Sequence, residues 1–195
     1  GNRVRVTNPL GKITTALYDN DRRVRATVDA LGNRVSYGFD SNGNLKSVTN
    51  PLGKVTTALY DSMGRPRASI DPLGNRSSFA YDAANRQTAV INPLGQRSTT
   101  LYDSAGRVQA AIDPLGSRTS LAYDAASRPT AVINAVGKRS TSVYDAAGRV
   151  TASVNALGNR TSYVYDCLGQ QTAVVNPLGK RFSTLFDAGG RVQAT

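Results

Sequence analysis

The stretch Gly95 to Leu115, GQRSTTLYDSAGRVQAAIDPL, decides how the rest of the chain is read. Gln96 to Asp103 is rich in Ser, Thr, Leu and Tyr, a composition that favours a strand. Asp103-Ser104-Ala105-Gly106 then reads as a turn, with Asp at its first position and Gly at its last. Arg107 to Asp113, with Val108 and Ile112, reads as a second strand. Asp113-Pro114-Leu115-Gly116 is another turn of the same kind, with Pro preset for the second position. Both turns fit a three-residue hairpin connection, a type I turn followed by a left-handed residue that is usually Gly.

Working outward, the same stretch recurs along the whole chain. Tyr102-Asp103 has counterparts at Tyr18-Asp19, Phe39-Asp40, Tyr60-Asp61, Tyr81-Asp82, Tyr123-Asp124, Tyr144-Asp145, Tyr165-Asp166 and Phe186-Asp187, always 21 residues apart. Glycines from Gly11 to Gly179 keep the same period without an insertion. Nine units account for 189 of the 195 residues. The fold class expected is all-β: tandem 21-residue hairpins forming one antiparallel meander over residues 1–195. Neighbouring strands rotate by about 20–25° against each other, so a strip of eighteen strands is expected to coil into a spiral, as the wall of a shell or tube. Repeat arrays need polar caps, and the chain starts within a turn (Gly1-Asn2), stops within a strand (Ala194-Thr195) and lacks an initiator Met. A segment of a longer chain is expected.

Composition excludes much chemistry. The chain has 24 Lys and Arg against 13 acids, a net charge of +11, no His, no Trp and one Cys. Every acid is an aspartate. There is no histidine base or metal ligand and no cysteine pair for zinc or a disulfide. No apolar run approaches the ~20 residues that span a bilayer.

The aspartates are explained by the turns. Nine belong to the aromatic-Asp pairs, and Asp29, Asp71 and Asp113 open the other turn; carboxylates there accept hydrogen bonds from backbone N–H groups just ahead. Across a three-residue turn each pair Asp faces the residue four positions on, which is Arg in seven units, as in Asp61 with Arg65, Asp103 with Arg107 and Asp145 with Arg149. Asn44 and Gln170 are the exceptions. Such cross-strand pairs contribute about 0.2–1 kcal/mol each. A second arginine phase (Arg34, Arg76, Arg97, Arg118, Arg139, Arg160, Arg181) is expected beside the Asp or Asn of the other turn. Lys12, Lys54, Lys138 and Lys180 are expected to face solvent, and Cys167 stands where other units carry Ala or Ser.

A weaker alternation has a period of 42 residues. Odd units carry bulk just before the aromatic (Leu17, Leu59, Leu101, Val143, Leu185); even units carry it one residue earlier (Tyr37, Phe79, Leu121, Tyr163), with Val48, Val90, Val132 and Val174 on the second strand. Two three-residue turns leave 15 strand residues per unit. That odd number predicts that the inward phase flips between successive hairpins. Pro66 and Pro129 open second strands, where a ladder bond would be lost. Recurring small Ala residues predict close approach and no thick core.

Tyr-Asp-x-x-Gly-Arg, as Tyr60-Asp61 to Gly64-Arg65, Tyr102-Asp103 to Gly106-Arg107 and Tyr144-Asp145 to Gly148-Arg149, strongly resembles the repeat of the YD-repeat, or RHS, proteins over essentially the whole chain. Arg22, Asn85 and Ser127 replace the turn Gly in three units. The family includes polymorphic-toxin shells, shell components of insecticidal toxin complexes, and teneurins. The resemblance implies a β-strip spiralling into a hollow shell, which in the toxins encloses a toxic domain. The family's self-cleavage near Asp-Pro-x-Gly-Leu is not carried over, because Asn75 and Ser117 follow Gly74 and Gly116.

The function expected is therefore structural and non-enzymatic: a wall segment of a large secreted or surface protein, with no cofactor and no metal. The partners expected are further repeats of the same chain or other copies of it, with a toxin cargo or a glycan beyond them. The alternative is a surface fibre or adhesin module that binds carbohydrate or another polyanion and self-assembles. Nucleic acid is the least favoured partner, since most arginines are expected to be paired.

Overall fold

The computed structural model describes residues 3–7 and 9–194; the Gly1-Asn2 turn and the terminal Thr195 lie outside them. Every regular element described is a strand. Two units divide the chain, Gly1–Ser98 and Thr99–Thr195.

In the first unit the strands Arg3–Thr7, Ile13–Tyr18, Val24–Val28, Arg34–Phe39, Leu45–Thr49, Val55–Tyr60, Pro66–Ile70, Arg76–Tyr81 and Gln87–Ile91 follow one another in an antiparallel meander. The second unit opens within the strand Arg97–Tyr102. It continues through Val108–Ile112, Arg118–Tyr123, Pro129–Ile133, Arg139–Tyr144, Val150–Val154, Arg160–Tyr165, Gln171–Val175 and Arg181–Ser183, again as a meander. A short hairpin of Leu185–Phe186 with Val192–Ala194 follows.

Both turns have the expected geometry. In the aromatic-Asp turn the Asp61 N–H donates to the Arg65 carbonyl at 3.0 Å and the Gly64 N–H to the Asp61 carbonyl at 3.0 Å; in the other, Asp71, Asn75 and Gly74 repeat both bonds at 3.0 Å. The last loop residue is left-handed throughout, as at Gly64 (φ 76°) and Gly74 (φ 86°). Arg22, Asn85 and Ser127 take the same conformation, each with φ 63°, so the turn is kept where its glycine is not. Proline is accommodated too. Tyr60 pairs with Pro66 directly beside the hydrogen-bonded Asp61–Arg65 pair, so it is a non-hydrogen-bonded pair and the missing N–H costs no bond there.

The expected flip of phase does not occur. Each aromatic-Asp hairpin contains a β-bulge: Tyr18 pairs with Val24 but Leu17 with Ala26, leaving Arg25 as the extra residue. The same shift recurs in every such hairpin, with Lys46, Arg67, Thr88, Gln109, Thr130, Thr151, Thr172 and Gln193 in the place of Arg25. A bulge inserts one residue into one strand. It absorbs the odd residue of the 21, so equivalent positions stay on one face from repeat to repeat.

The 42-residue alternation then places bulk on opposite faces of the sheet. Leu17 pairs with Ala26 and Leu59 with Ala68 on one face, where the intervening unit has Gly38 with Ser47. On the other face Tyr37 pairs with Val48 and Phe79 with Val90, where the intervening unit has Ala58 with Ser69. Each face is corrugated, and the ridges of one lie over the furrows of the other.

The buried apolar residues are Ala26, Ala68, Ala89, Ala110, Ala131, Ala152 and Ala173, each 0–3% exposed. They form an alanine row down the centre of the strands, partnered on one side by the bulk position (Leu101 for Ala110) and on the other by a Ser or Thr (Ser120). Within each unit the meander is a single layer, and its buried apolar side chains are single methyl groups.

Candidate functional site

The residues of the Tyr-Asp-x-x-Gly-Arg motif converge, once per repeat, on a ladder along the aromatic-Asp edge of each unit. The construction begins at the aspartate. Asp61 Oδ1 accepts the Met63 N–H at 2.9 Å and the Arg65 N–H at 3.0 Å, while Oδ2 accepts Arg65 Nε–H at 2.7 Å. Seven units make the same ion pair, between 2.6 and 2.8 Å: Asp19–Arg23, Asp61–Arg65, Asp82–Arg86, Asp103–Arg107, Asp124–Arg128, Asp145–Arg149 and Asp187–Arg191. In the unit of Asp40, Asn44 substitutes with its side-chain amide at 3.0 Å; in that of Asp166, Gln170 donates its backbone N–H at 2.8 Å.

The hydrogen bonds set the electrostatics of these carboxyls. The backbone N–H of Arg107, then the Arg107 side chain, hold Asp103 below its ordinary value against partial desolvation. Asp19, Asp61, Asp82, Asp124, Asp145 and Asp187 are lowered in the same way by their own arginines. For Asp40 the side-chain amide of Asn44 comes first. These are carboxylates fixed in the ionised form, the opposite of what a general acid requires.

In the repeats of Arg23, Arg65, Arg107, Arg128 and Arg149 the arginine then reaches forward into the next one. Its guanidinium carbon lies 4.6–4.8 Å from the centroid of the aromatic ring sixteen residues on: Arg23 on Phe39, Arg65 on Tyr81, Arg107 on Tyr123, Arg128 on Tyr144 and Arg149 on Tyr165. Nη1 of Arg65, Arg107, Arg128 and Arg149 donates to the backbone carbonyl of the Asp beside that ring, at 3.0–3.3 Å. The ring in turn reaches back. Tyr60, Tyr81, Tyr123, Tyr144 and Tyr165 donate their hydroxyls to the carbonyls of Leu45, Pro66, Val108, Pro129 and Val150, fifteen residues earlier, at 2.8–2.9 Å.

The aspartate–arginine pairing was legible in the spacing of four. The forward stacking was not, although a spacing of sixteen between Arg and aromatic is its signal. The second arginine phase differs from expectation. Arg34, Arg76, Arg118, Arg160 and Arg181 turn along their own strands, and their Nε–H groups donate to Ser36, Ser78, Ser120, Ser162 and Ser183 at 3.0–3.2 Å. Asp29 and Asp71 accept instead from the side-chain amides of Asn33 and Asn75, at 2.8 Å. The physical reason is strand alternation: Asn33 faces Asp29 across the turn, and Arg34, one residue on, points to the opposite face.

No group of three or more metal-ligating side chains forms among the described residues. Cys167 is exposed in the Asp166-Cys167-Leu168-Gly169 turn.

The RHS Repeat family model matches residues 18–55, 39–76, 60–97, 102–139 and 144–181. No curated protein sequence matches the chain. Among solved structures, the crystal structure of TcdB2-TccC3-Cdc42 is similar, with 16% identity and a TM-score of 0.55. The crystal structure of TcdB2-TccC3 gives 15% and 0.54, and that of TcdB2-TccC3-TEV 16% and 0.51. Each match covers 93% of this chain and 13% of the other, so the chain spans a small part of those proteins. At such identity the likeness is one of fold. With the family model matching most of its length, in phase with the ladder of tyrosine, aspartate and arginine, this chain belongs to the RHS-repeat family.

Proposed function

We propose that the chain is a non-enzymatic stretch of wall in a large secreted or cell-surface protein, coiled with further repeats into a hollow β-shell that encloses a cargo domain. All 195 residues then serve as one uninterrupted array. The observation that carries this reading is the ladder: in at least five repeats the motif arginine that closes its own turn also grips the aromatic of the next repeat, so the chain is built to be long and continuous. A single-layer sheet whose buried interior is a row of alanines suits a wall better than a solid domain. The fold likeness to TcdB2-TccC3 assemblies supports the same reading.

Electron microscopy of the complete gene product containing these repeats tests it. A closed hollow particle that protects an enclosed segment from protease is the expected result. An extended, protease-open fibre that binds heparin would instead support the surface-fibre reading, which the net charge of +11 favours.

A further inference from the structure

In a meander, alternate turns lie on opposite edges. One edge of each unit carries the aromatic-Asp turns, the other the Pro-Leu-Gly turns. The third residue of the Pro-Leu-Gly turn is the most exposed apolar side chain of its repeat: Leu31 84%, Leu52 81% and Leu73 81% in the first unit, Leu115 88% and Leu178 92% in the second. Turn positions are normally filled by Gly, Pro, Asn, Asp or Ser for backbone reasons. Leucine has no such reason here, and the corresponding residue on the other edge varies, from Asp21 and Asn42 through Met63 and Leu168 to Ala105 and Ala126. Scattered surface leucines need no explanation. A leucine at the tip of every second turn, replaced by valine only at Val136, each about 9.6 Å from the next by strand spacing, does.

We propose that this leucine row docks onto the aromatic-Asp edge of a second copy of the array, each leucine seating on the tip of a facing turn. Three features select that occupant. The two edges have the same pitch, one turn per two strands, so contact stays in register along their length. Four aromatic-Asp tips, Ala83-Ala84, Ala125-Ala126, Ala146-Ala147 and Ala188-Gly189, are small and apolar and accommodate a leucine, and Ser62-Met63 and Cys167-Leu168 present exposed apolar side chains to it. Charge excludes the like-with-like alternative. The leucine edge of the second unit carries Arg118, Lys138, Arg139, Arg160, Lys180 and Arg181 against Asp113 alone, whereas each aromatic-Asp turn there offsets its aspartate with the arginine four residues on, save at Gln170. Two leucine edges repel; a leucine edge and an aromatic-Asp edge do not. Such a contact joins different surfaces, so it propagates from copy to copy unless its rotation closes a ring. The inference rests on the wall reading and names the residues that join one course of wall to the next.

Cys167, exposed at an aromatic-Asp tip, supplies the test. In the 195-residue chain carrying Leu115→Cys, a short bismaleimide is expected to give intermolecular links between residues 115 and 167 at least ten times more often than 115–115 or 167–167 links. Sedimentation velocity should show concentration-dependent oligomers of the unsubstituted chain that are lost in L115N/L157N/L178N, with its β-type circular dichroism unchanged. Dominant 115–115 links, a chain that stays monomeric at its highest soluble concentration, or association that appears only on adding phosphatidylserine vesicles or heparin would overturn the proposal. The two readings fail separately. A hollow full-length particle with 115–115 links sinks the edge assignment alone, and 115–167 links in an open fibre sink the shell alone.

Discussion

The guanidinium carbon of Arg107 sits 4.6 Å from the ring centroid of Tyr123, sixteen residues and one repeat ahead, while its Nε–H is held by Asp103 at 2.7 Å. One side chain thus closes its own turn and clasps the next. An array with such nearest-neighbour links has a stability made of repeat terms and interface terms, and here the interface term has a named owner.

Arg107→Ala should cost about 1–2 kcal/mol, from a partly exposed cation–π contact, a hydrogen bond to the Asp124 carbonyl and a screened ion pair. In a double-mutant cycle with Tyr123→Leu the coupling should reach about 0.5–1 kcal/mol, whereas Arg107→Ala and Arg149→Ala, in different links, should add. Urea unfolding of the four variants measures both. Full additivity of Arg107 with Tyr123 would show that the stacking contributes nothing.

Tyr123→Phe removes only the hydroxyl that donates to Val108, at 2.9 Å. A loss of about 0.5–1.5 kcal/mol is expected. Amide exchange should locate it: protection should fall at the junction between the two hairpins and remain unchanged in the distant repeats.

Arg22 occupies a left-handed turn position with φ 63° that most other units give to glycine. Arg22→Gly should stabilise by about 0.5–1 kcal/mol, and Gly148→Ala, at φ 83°, should destabilise by about 1 kcal/mol. Ser127→Gly should be closer to neutral, because Ser127 Oγ accepts a bond from Arg107 at 3.1 Å that glycine cannot replace. Thermal midpoints of the three variants give the ranking.

A Cβ on Gly38 would collide with Ser47 Oγ, its cross-strand partner. Gly38→Ala alone should therefore gain little. The double substitution with Ser47→Ala recreates the Ala80–Ala89 pair found one unit pair later and should stabilise by about 0.5–1 kcal/mol. A double variant no more stable than Gly38→Ala would contradict this.

Acid should be the effective denaturant. Asp103 and Asp61 are lowered chiefly by the backbone N–H groups of Arg107 and Arg65, and Asp29 and Asp71 chiefly by the Asn33 and Asn75 amides. A carboxyl depressed in the folded state contributes stability above its unfolded value, near 3.8, and loses it as pH falls through the folded value. With no histidine in the chain, stability should be flat from about pH 5 to 8 and collapse below about pH 4. Urea midpoints across that range would show it; a decline beginning near pH 6 would contradict it.

The hairpins, both turn types, the turn role of the aspartates and the family were all readable from residues 95–115 and their recurrence, because each depends on chemistry within about five residues: Asp accepting nearby N–H groups, Pro setting φ, Gly entering the left-handed region. Three features were not readable. The bulge at Arg25 and its equivalents looks in sequence like any polar strand residue, and it reverses the inference drawn from the odd strand count. The turn of Arg34 toward Ser36 follows from the face its strand gives it. The clasp of Arg107 on Tyr123 joins residues on different hairpins. Local sequence specifies which atoms close a turn; only the pairing of one hairpin with the next sets register and face, and those decide where the remaining side chains go.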